Sequence, residues 1–265
     1  MQVTAETLAR MSGREVNDNM RSVIDGLAMA GIGAGIGAGL NRPHRLAIYL
    51  GQIGHESDWF RWDREIWGPT AAQKGYEGRK DLGNTQPGDG YRYRGRGPIQ
   101  NTGRANTTDF RDWARKLDPA APDFVANPDL INTDPWEGLV PIWYWNSGNP
   151  TGESLNVYAD EANHEMVTRR INGGLNGYAD RLTRYTRAAL VLLGFGPTDI
   201  RAFQASVFSG RDVDGIDGPK TRAALHQALL AQPLASFGDA PAASEKTAAG
   251  LAAAILMAID TYMEN

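Results

Sequence analysis

Apolar residues recur every three to four positions along most of the chain, the spacing of α-helices that bury one face. The pattern covers residues 4–30 and resumes at Asn41-Arg42-Pro43, where a proline in the first turn predicts a helix ending near Ser57. The same spacing predicts further helices near residues 105–117, 135–145, 154–172 and 179–193. The pattern therefore predicts a mainly α protein with few short strands.

Turn and linker signals divide this pattern into three parts. A break at Gly194-Phe-Gly-Pro197 separates a large unit, residues 1–195, from a small helical unit, residues 196–233. Residues 234–265 begin with linker composition and end in an apolar helix. We therefore expect a catalytic domain at residues 1–195, a small helical module, and a linker with a terminal helix.

Two apolar stretches are too short to span a membrane. Residues 31–40 comprise 10 residues and residues 248–259 comprise 12, whereas a bilayer core of about 30 Å needs about 20. The first, a glycine run, lacks the register of a nucleotide-binding loop and predicts a loop or closely packed backbone. For the second we expect packing or oligomer contacts, with membrane contact as the alternative.

Composition excludes several classes of chemistry. The net charge is −4, which argues against a general nucleic-acid binder, and there are no cysteines for thiol catalysis, disulfides or zinc–cysteine sites. The sequence His55-Glu-Ser-Asp-Trp59 lacks the second histidine of a zinc protease. We therefore expect neither a metal nor a cofactor.

Glu56 and Glu65 are the best candidates for acid–base chemistry. Glu56 falls on the edge of the apolar stripe of its helix, where partial loss of water favours a protonated carboxyl group. Glu65 lies beside Arg64 and close to Arg61, which should keep it ionised. Two carboxyl groups in contrasting surroundings are typical of glycoside hydrolases, although two ordinary surface glutamates would give the same sequence.

An arginine-rich segment, residues 91–103, favours a binding role. It places Tyr93, three arginines and two glycines before Gln100 and Thr102, and a third glycine directly after them. Aromatic rings stack on sugars, and amides match hydroxyl and acetamide groups. Residues 61–116 contain 12 lysines and arginines against 7 aspartates and glutamates, so an anionic polymer is a plausible substrate.

Several motifs together resemble family 19 glycoside hydrolases, which include plant-type chitinases and phage endolysins. Their order and spacing agree over roughly residues 40–193. In chain order they are residues 55–57 (HES), Glu65, residues 93–100 (YRGRGPIQ), residues 171–174 (INGG) and residues 179–185 (ADRLTRY). Three further segments are closer to the endolysin branch: residues 65–70 (EIWGPT), 75–78 (GYEG) and 82–90 (LGNTQPGDG).

This resemblance implies a lysozyme-like, two-lobed helical domain around a deep cleft and an inverting reaction. Glu56 would be the general acid, Glu65 the general base, and Thr102 would help to hold the attacking water. Gln100, Asn106 and Asn172 would be amides that contact the sugar, and Arg181 would be an arginine near the acid. Together with Tyr93 from the arginine-rich segment, these are the expected substrate-binding residues.

Two departures from plant chitinases accompany the likeness. Asn176 stands where they have an acidic partner for Arg181, and Ala105 stands where they have a substrate-binding tyrosine. These changes predict a different charge network near Glu56 and favour cell-wall lysis over chitin cleavage.

The small helical unit resembles bacterial peptidoglycan-binding modules. The matching residues are Phe203, Gln204, Asp214 and Gly215, within residues 200–204 (IRAFQ) and 213–225 (VDGIDGPKTRAAL). We expect them to form a cell-wall-binding module. The alternative is a helical packing domain without a ligand.

The sequence thus predicts a monomeric endolysin that hydrolyses the β-1,4 glycan backbone of bacterial peptidoglycan. Residues 1–14 contain no apolar segment typical of a secretory signal, so we expect the protein in the host cytoplasm, reaching the periplasmic wall after membrane permeabilisation. The alternatives are a chitinase, a lytic transglycosylase and a non-catalytic wall-binding protein.

Overall fold

The computed structural model describes residues 1–32 and 39–238 and is mainly α-helical. Most of the glycine run and all of the predicted terminal helix, residues 248–259, lie outside the described residues. No helix in the described part of the chain is both long and apolar enough to cross a membrane.

Twelve α-helices and two short strands occur in the described ranges. The helices are α1 (Ala5–Ser12), α2 (Asp18–Ile32), α3 (Pro43–Glu56), α4 (Ala71–Gly75), α5 (Asp89–Arg92), α6 (Arg104–Leu117), α7 (Trp136–Trp143), α8 (Asn156–Asp160), α9 (His164–Asn172), α10 (Tyr178–Leu192), α11 (Ile200–Val207) and α12 (Pro219–Leu230). The strands are β1 (Gln2–Val3) and β2 (Ser236–Phe237).

Helix α3 lies at the centre of the core and carries Glu56 as its last residue. Its residues from Leu46 to Gly54 are all buried. Gly51 lets α3 approach α10 closely, since a Cβ atom there would lie 2.9 Å from the backbone nitrogen of Tyr185. This packing sets the end of α3 against α10 and fixes the position of Glu56.

Predicted helix bounds hold for α6 and α10 within one residue but fail where turns interrupt the spacing. The predicted helix at 4–30 is two helices, since α1 ends at Gly13 with φ +73°. The predicted helix at 154–172 is likewise divided into α8 and α9. After α7 the chain forms a π-helical turn at Tyr144–Gly148 instead of continuing as an α-helix.

The start of the predicted linker is part of the fold. β2 pairs in parallel with β1, in the register Gln2 with Ser236 and Val3 with Phe237. The prediction that the linker begins at residue 234 is therefore wrong for residues 234–238, whose backbone is hydrogen-bonded to the other end of the chain.

The small helical unit packs on the large one. Helix α12 lies against α3 and α10, the Tyr185 hydroxyl donates to the carbonyl of Arg222 at 3.4 Å, and Thr186 donates to Asp217 at 2.9 Å. Helix α10 thus packs against both α3 of the large unit and α12 of the small unit.

Glu137 on α7 is a buried acid without a full set of partners. It is 5% exposed, and its Oε1 has no hydrogen-bond partner among the described residues. Burial, with smaller contributions from the charges of Asp63 and Asp134, raises the pKa of Glu137 to about 8. The native protein therefore retains a proton on Glu137 that the unfolded chain loses near its ordinary value.

We expect Glu137→Gln to reduce the loss of stability with rising pH. Between pH 5 and pH 8 the native state binds this extra proton, so the free energy of unfolding falls as pH rises. From pH 5 to pH 8 the free energy of unfolding of Glu137→Gln should therefore rise by about 2–4 kcal/mol relative to that of the parent. Urea unfolding of both proteins at both pH values measures this change. The exposed control Glu153→Gln should show no such gain, and an equal difference between Glu137→Gln and parent at both pH values would contradict the assignment.

Candidate active site

A cleft of about 430 Å³ contains both candidate carboxylates. Its lining comes from α3, from the arginine-rich segment and from the end of α9. The lining residues are Glu56, Glu65, Tyr76, Leu82, Ile99, Gln100, Asn101, Thr102, Asn106, Tyr144, Ile171 and Asn172. Six residues singled out from the sequence, Glu56, Glu65, Gln100, Thr102, Asn106 and Asn172, therefore share one cavity.

Glu56 is paired with a buried arginine. Arg181 of α10 has a side chain only 1% exposed and contacts Oε1 of Glu56. No donor within the described ranges is hydrogen-bonded to Oε2. Partial burial of Glu56 agrees with its position on the helix, and the guanidinium group against its carboxylate is the arginine that the resemblance implied near the acid.

Neutral groups complete the coordination of Arg181. Its Nη1 donates to Oε1 of Gln52 at 2.7 Å, and its Nε donates to the carbonyl of Asn176 at 3.3 Å. Gln52 in turn donates to the hydroxyl of Thr168 at 3.1 Å. Asn176 thus partners Arg181 through its backbone, as expected for a network without the second acidic side chain.

Glu65 is held by neutral donors instead of arginines. Its Oε1 accepts from the Tyr76 hydroxyl at 3.1 Å, and its Oε2 accepts from Gln73 and from the backbone nitrogen of Gly95, both at 3.3 Å. The predicted arginine neighbours are paired elsewhere: Arg64 lies 2.9 Å from Asp63 and Arg61 lies 3.9 Å from Asp58. These three contacts fix the orientation of the Glu65 side chain in the cleft.

Tyrosines adjoin both carboxylates. Burial and the charge of Glu65 raise the pKa of Tyr76. Burial, with a smaller contribution from Glu56, raises the pKa of Tyr144 to about 12. Both phenols therefore remain protonated at neutral pH and act as hydrogen-bond donors.

Arg96 organises the arginine-rich segment. Its side chain is buried, donates to Asp129 at 2.8 Å and donates to the carbonyls of Arg92 and Arg94. Its backbone forms isolated bridges with Arg64 and Asn101. These contacts hold the chain so that the following residues reach the cleft.

The polar residues of the cleft retain capacity for a ligand. The Thr102 hydroxyl donates to the carbonyl of Gln100 at 2.8 Å, which leaves its oxygen free to accept. Gln100 and Asn106 donate through nitrogen to the carbonyls of Gly97 and Thr102. Asn101 lines the cleft, but its amide oxygen and nitrogen are both buried and have no partner among the described residues. Thr102, Gln100 and Asn106 are therefore the groups of this part of the cleft that remain for a sugar.

Several expected binding residues point elsewhere. Tyr93 is 1% exposed and its hydroxyl donates to the carbonyl of Val125 at 2.9 Å, so the expectation of sugar contact is wrong. Arg181 is likewise too buried to contact substrate and instead positions Glu56.

The residues expected to bind cell wall also have internal contacts. Phe203 is buried against Phe195, and Gln204 donates to Oδ1 of Asp214 at 2.8 Å and accepts from the backbone of Gly215 at 2.6 Å. The prediction that Phe203 and Gln204 contact the cell wall directly is therefore wrong. The motif stabilises the turn before α12.

Sequence reasoning missed two residues that support the carboxylates, Gln52 and Gln73, and one that lines the cleft, Asn101. Gln52 lies four residues before Glu56, so their shared helix face could have indicated contact. Gln73 forms a capping box with Thr70, a pattern visible in the sequence, but its contact with Glu65 depends on the fold. Asn101 gave no local signal. No group of three or more histidine, aspartate and glutamate side chains in the described part could hold a metal ion.

Comparison with known proteins identifies the family. A "Glycosyl hydrolase family 19 domain-containing protein" of Haemophilus influenzae is 34% identical over 184 residues, which are 58% of this chain and 82% of that protein. The chain belongs to glycoside hydrolase family 19. This family 19 hydrolase is also 31% identical to an "Acidic endochitinase" of Petunia hybrida, over 60% of this chain and 65% of the relative. No protein-family model matches it.

Solved structures agree on the fold of this family 19 hydrolase. Chitinase C from Streptomyces griseus matches with a TM-score of 0.55 and 21% identity, over 73% of this chain and 77% of that one. A second match, to a mutant of chitinase C, has a TM-score of 0.56 and 23% identity, and covers 73% of this chain and 93% of that one. The predicted mainly α, lysozyme-like fold is confirmed, and the chain is a glycoside hydrolase of the chitinase-like type.

Proposed function

We propose that this family 19 hydrolase is an endolysin that cleaves the β-1,4 glycan backbone of bacterial peptidoglycan. The observation that carries the proposal is that Glu56 and Glu65 line one cleft with contrasting partners, a guanidinium group for Glu56 and neutral donors for Glu65. The roles of acid and base follow the family resemblance. The reaction needs no cofactor.

In the proposed reaction Glu56 is protonated at Oε2 and gives that proton to the glycosidic oxygen as the bond from this oxygen to C1 breaks. Glu65 accepts a proton from water, whose oxygen bonds to C1 from the opposite face, and the anomeric configuration is inverted. Thr102 would orient the water, since its hydroxyl oxygen can accept a hydrogen bond from it. Asn106, which lines the cleft and is only half-buried, is suited to the sugar substituents.

Charge supports peptidoglycan over chitin as the substrate. Residues 61–116 contain more lysines and arginines than aspartates and glutamates, which favours an anionic substrate, whereas chitin is uncharged. Chitinase activity is the second candidate, supported by the relatives from Petunia hybrida and from rice, the latter a "Chitinase 8" 28% identical over 62% of its length. In the endolysin proposal the enzyme reaches the wall after the membrane is permeabilised.

Product release from purified sacculi and from chitin oligomers tests the proposal. We expect reducing ends from sacculi at a higher rate per enzyme than from chitin oligomers, with mass spectrometry identifying hydrated muropeptides. Release from chitin alone would replace the endolysin proposal with the chitinase. Anhydro ends would indicate a lytic transglycosylase.

A further inference from the structure

An exposed aromatic surface lies immediately beyond Glu65. Trp67 is 72% exposed, and its ring centroid is 6.0 Å from that of Trp62. The guanidinium carbon of Arg61 lies 4.6 Å from the ring centroid of Trp62. A large exposed aromatic group beside a cation is typical of a binding surface.

A second cavity, of about 320 Å³, is joined to this surface by Gln73, which lines the cavity and donates to the carbonyl of Trp67 at 2.8 Å. The lining residues are Pro69, Gln73, Lys74, Glu77, Gly88 and Tyr91. Gln73 also donates to Glu65, so a single side chain separates this cavity from the catalytic carboxylate. The guanidinium carbon of Arg94 lies 4.4 Å from the ring centroid of Tyr91 and supports it from behind.

The charges around this cavity leave a cation available. Lys74 forms no ion pair with any residue in the described ranges. The carboxylate of Glu77 is occupied by the backbone nitrogens of Gly88 and Gly90, each at 2.7 Å. Among the described residues, the ion pair recorded for Arg61 is the distant one with Asp58, at 3.9 Å. Anionic groups can therefore bind Lys74 or Arg61 without first breaking a close ion pair.

We infer that this outer surface, formed by Arg61, Trp62, Trp67, Lys74 and Tyr91, binds the acidic peptide carried by the glycan. The inference rests on the proposed function. A peptide attached to a sugar in the cleft extends outward past the rim, where the aromatic rings contact its aliphatic side chains and the cations contact its carboxylates. The surface thereby selects peptide-bearing glycan.

The test compares two substrates, intact sacculi and the same glycan strands stripped of peptide by an amidase. For Lys74→Glu and Trp67→Ala, the ratio of kcat/KM on sacculi to kcat/KM on stripped strands should fall about fivefold or more. Lys116→Glu on α6 and Val157→Ala on α8 are matched exposed controls that should keep the parental ratio. Circular dichroism and thermal unfolding establish that each variant is folded.

The outcomes separate the inference from the proposed function. If the parent cleaves sacculi and the ratio is unchanged in both Lys74→Glu and Trp67→Ala, the inference is wrong and the endolysin proposal stands. If the parent cleaves neither sacculi nor stripped strands, the endolysin proposal fails and the inference fails with it.

Discussion

Glu56→Gln should lower kcat on sacculi by about 10³–10⁴-fold, the contribution expected of a positioned general acid. Glutamine has nearly the same shape, and its oxygen can still accept from Arg181, so the pairing seen at Oε1 can persist. What is lost is the proton for the glycosidic oxygen. Stopped assays of reducing ends measure the change.

The control for this variant is Glu153→Gln, which changes an exposed glutamate in the same way. It should retain parental kcat. Substrates with an activated leaving group should partly recover activity with Glu56→Gln, because such a group leaves without protonation. Lysis by Glu56→Gln at the parental rate would favour a non-catalytic wall-binding protein.

Glu65→Gln should lower kcat by about 10²–10³-fold, since the attacking water would lose its proton acceptor. Tyr76 and Gln73 would still hold the new amide, so the loss should reflect chemistry and leave the folded state intact. The same assay on sacculi measures it. Retained activity with anhydro ends would instead indicate a lytic transglycosylase, which needs no base for water.

Azide provides a second measurement on the same residue. Glu65→Ala leaves space where the base stood, and azide is a nucleophile that needs no deprotonation. Added azide should therefore restore part of the activity of Glu65→Ala and give the α-glycosyl azide. The parent and Glu56→Gln should show no such rescue, and its absence from Glu65→Ala would argue against a base at this position.

The sequence predicted the fold class from local patterns, and it predicted the two carboxylates from their local surroundings together with the family resemblance. The start of α3 follows from Pro43, and the position of Glu56 on the edge of its apolar stripe follows from helix geometry. The division of residues 4–30 into two helices was not predicted. Gly13 ends α1 in a left-handed conformation, but a glycine within a helical pattern does not by itself show that the helix ends there.

Contacts between distant segments were beyond such reasoning. Tyr93 is of a residue type that often binds sugars, but its hydroxyl donates to the carbonyl of Val125. The sequence around Tyr93 does not reveal a contact with a residue so far along the chain. The same holds for β2, where linker-like residues pair with the start of the chain. The neutral donors around Glu65 come from a helix and a loop that only the fold brings together.

The anomeric configuration of the first product tests the central account most directly. Proton NMR of the parent acting on peptide-free glycan strands, recorded before mutarotation, should show the new reducing end as the α-anomer, because water guided by Glu65 attacks opposite the bond that Glu56 protonates. A β-anomer as the first product would contradict the single displacement by this pair of carboxylates.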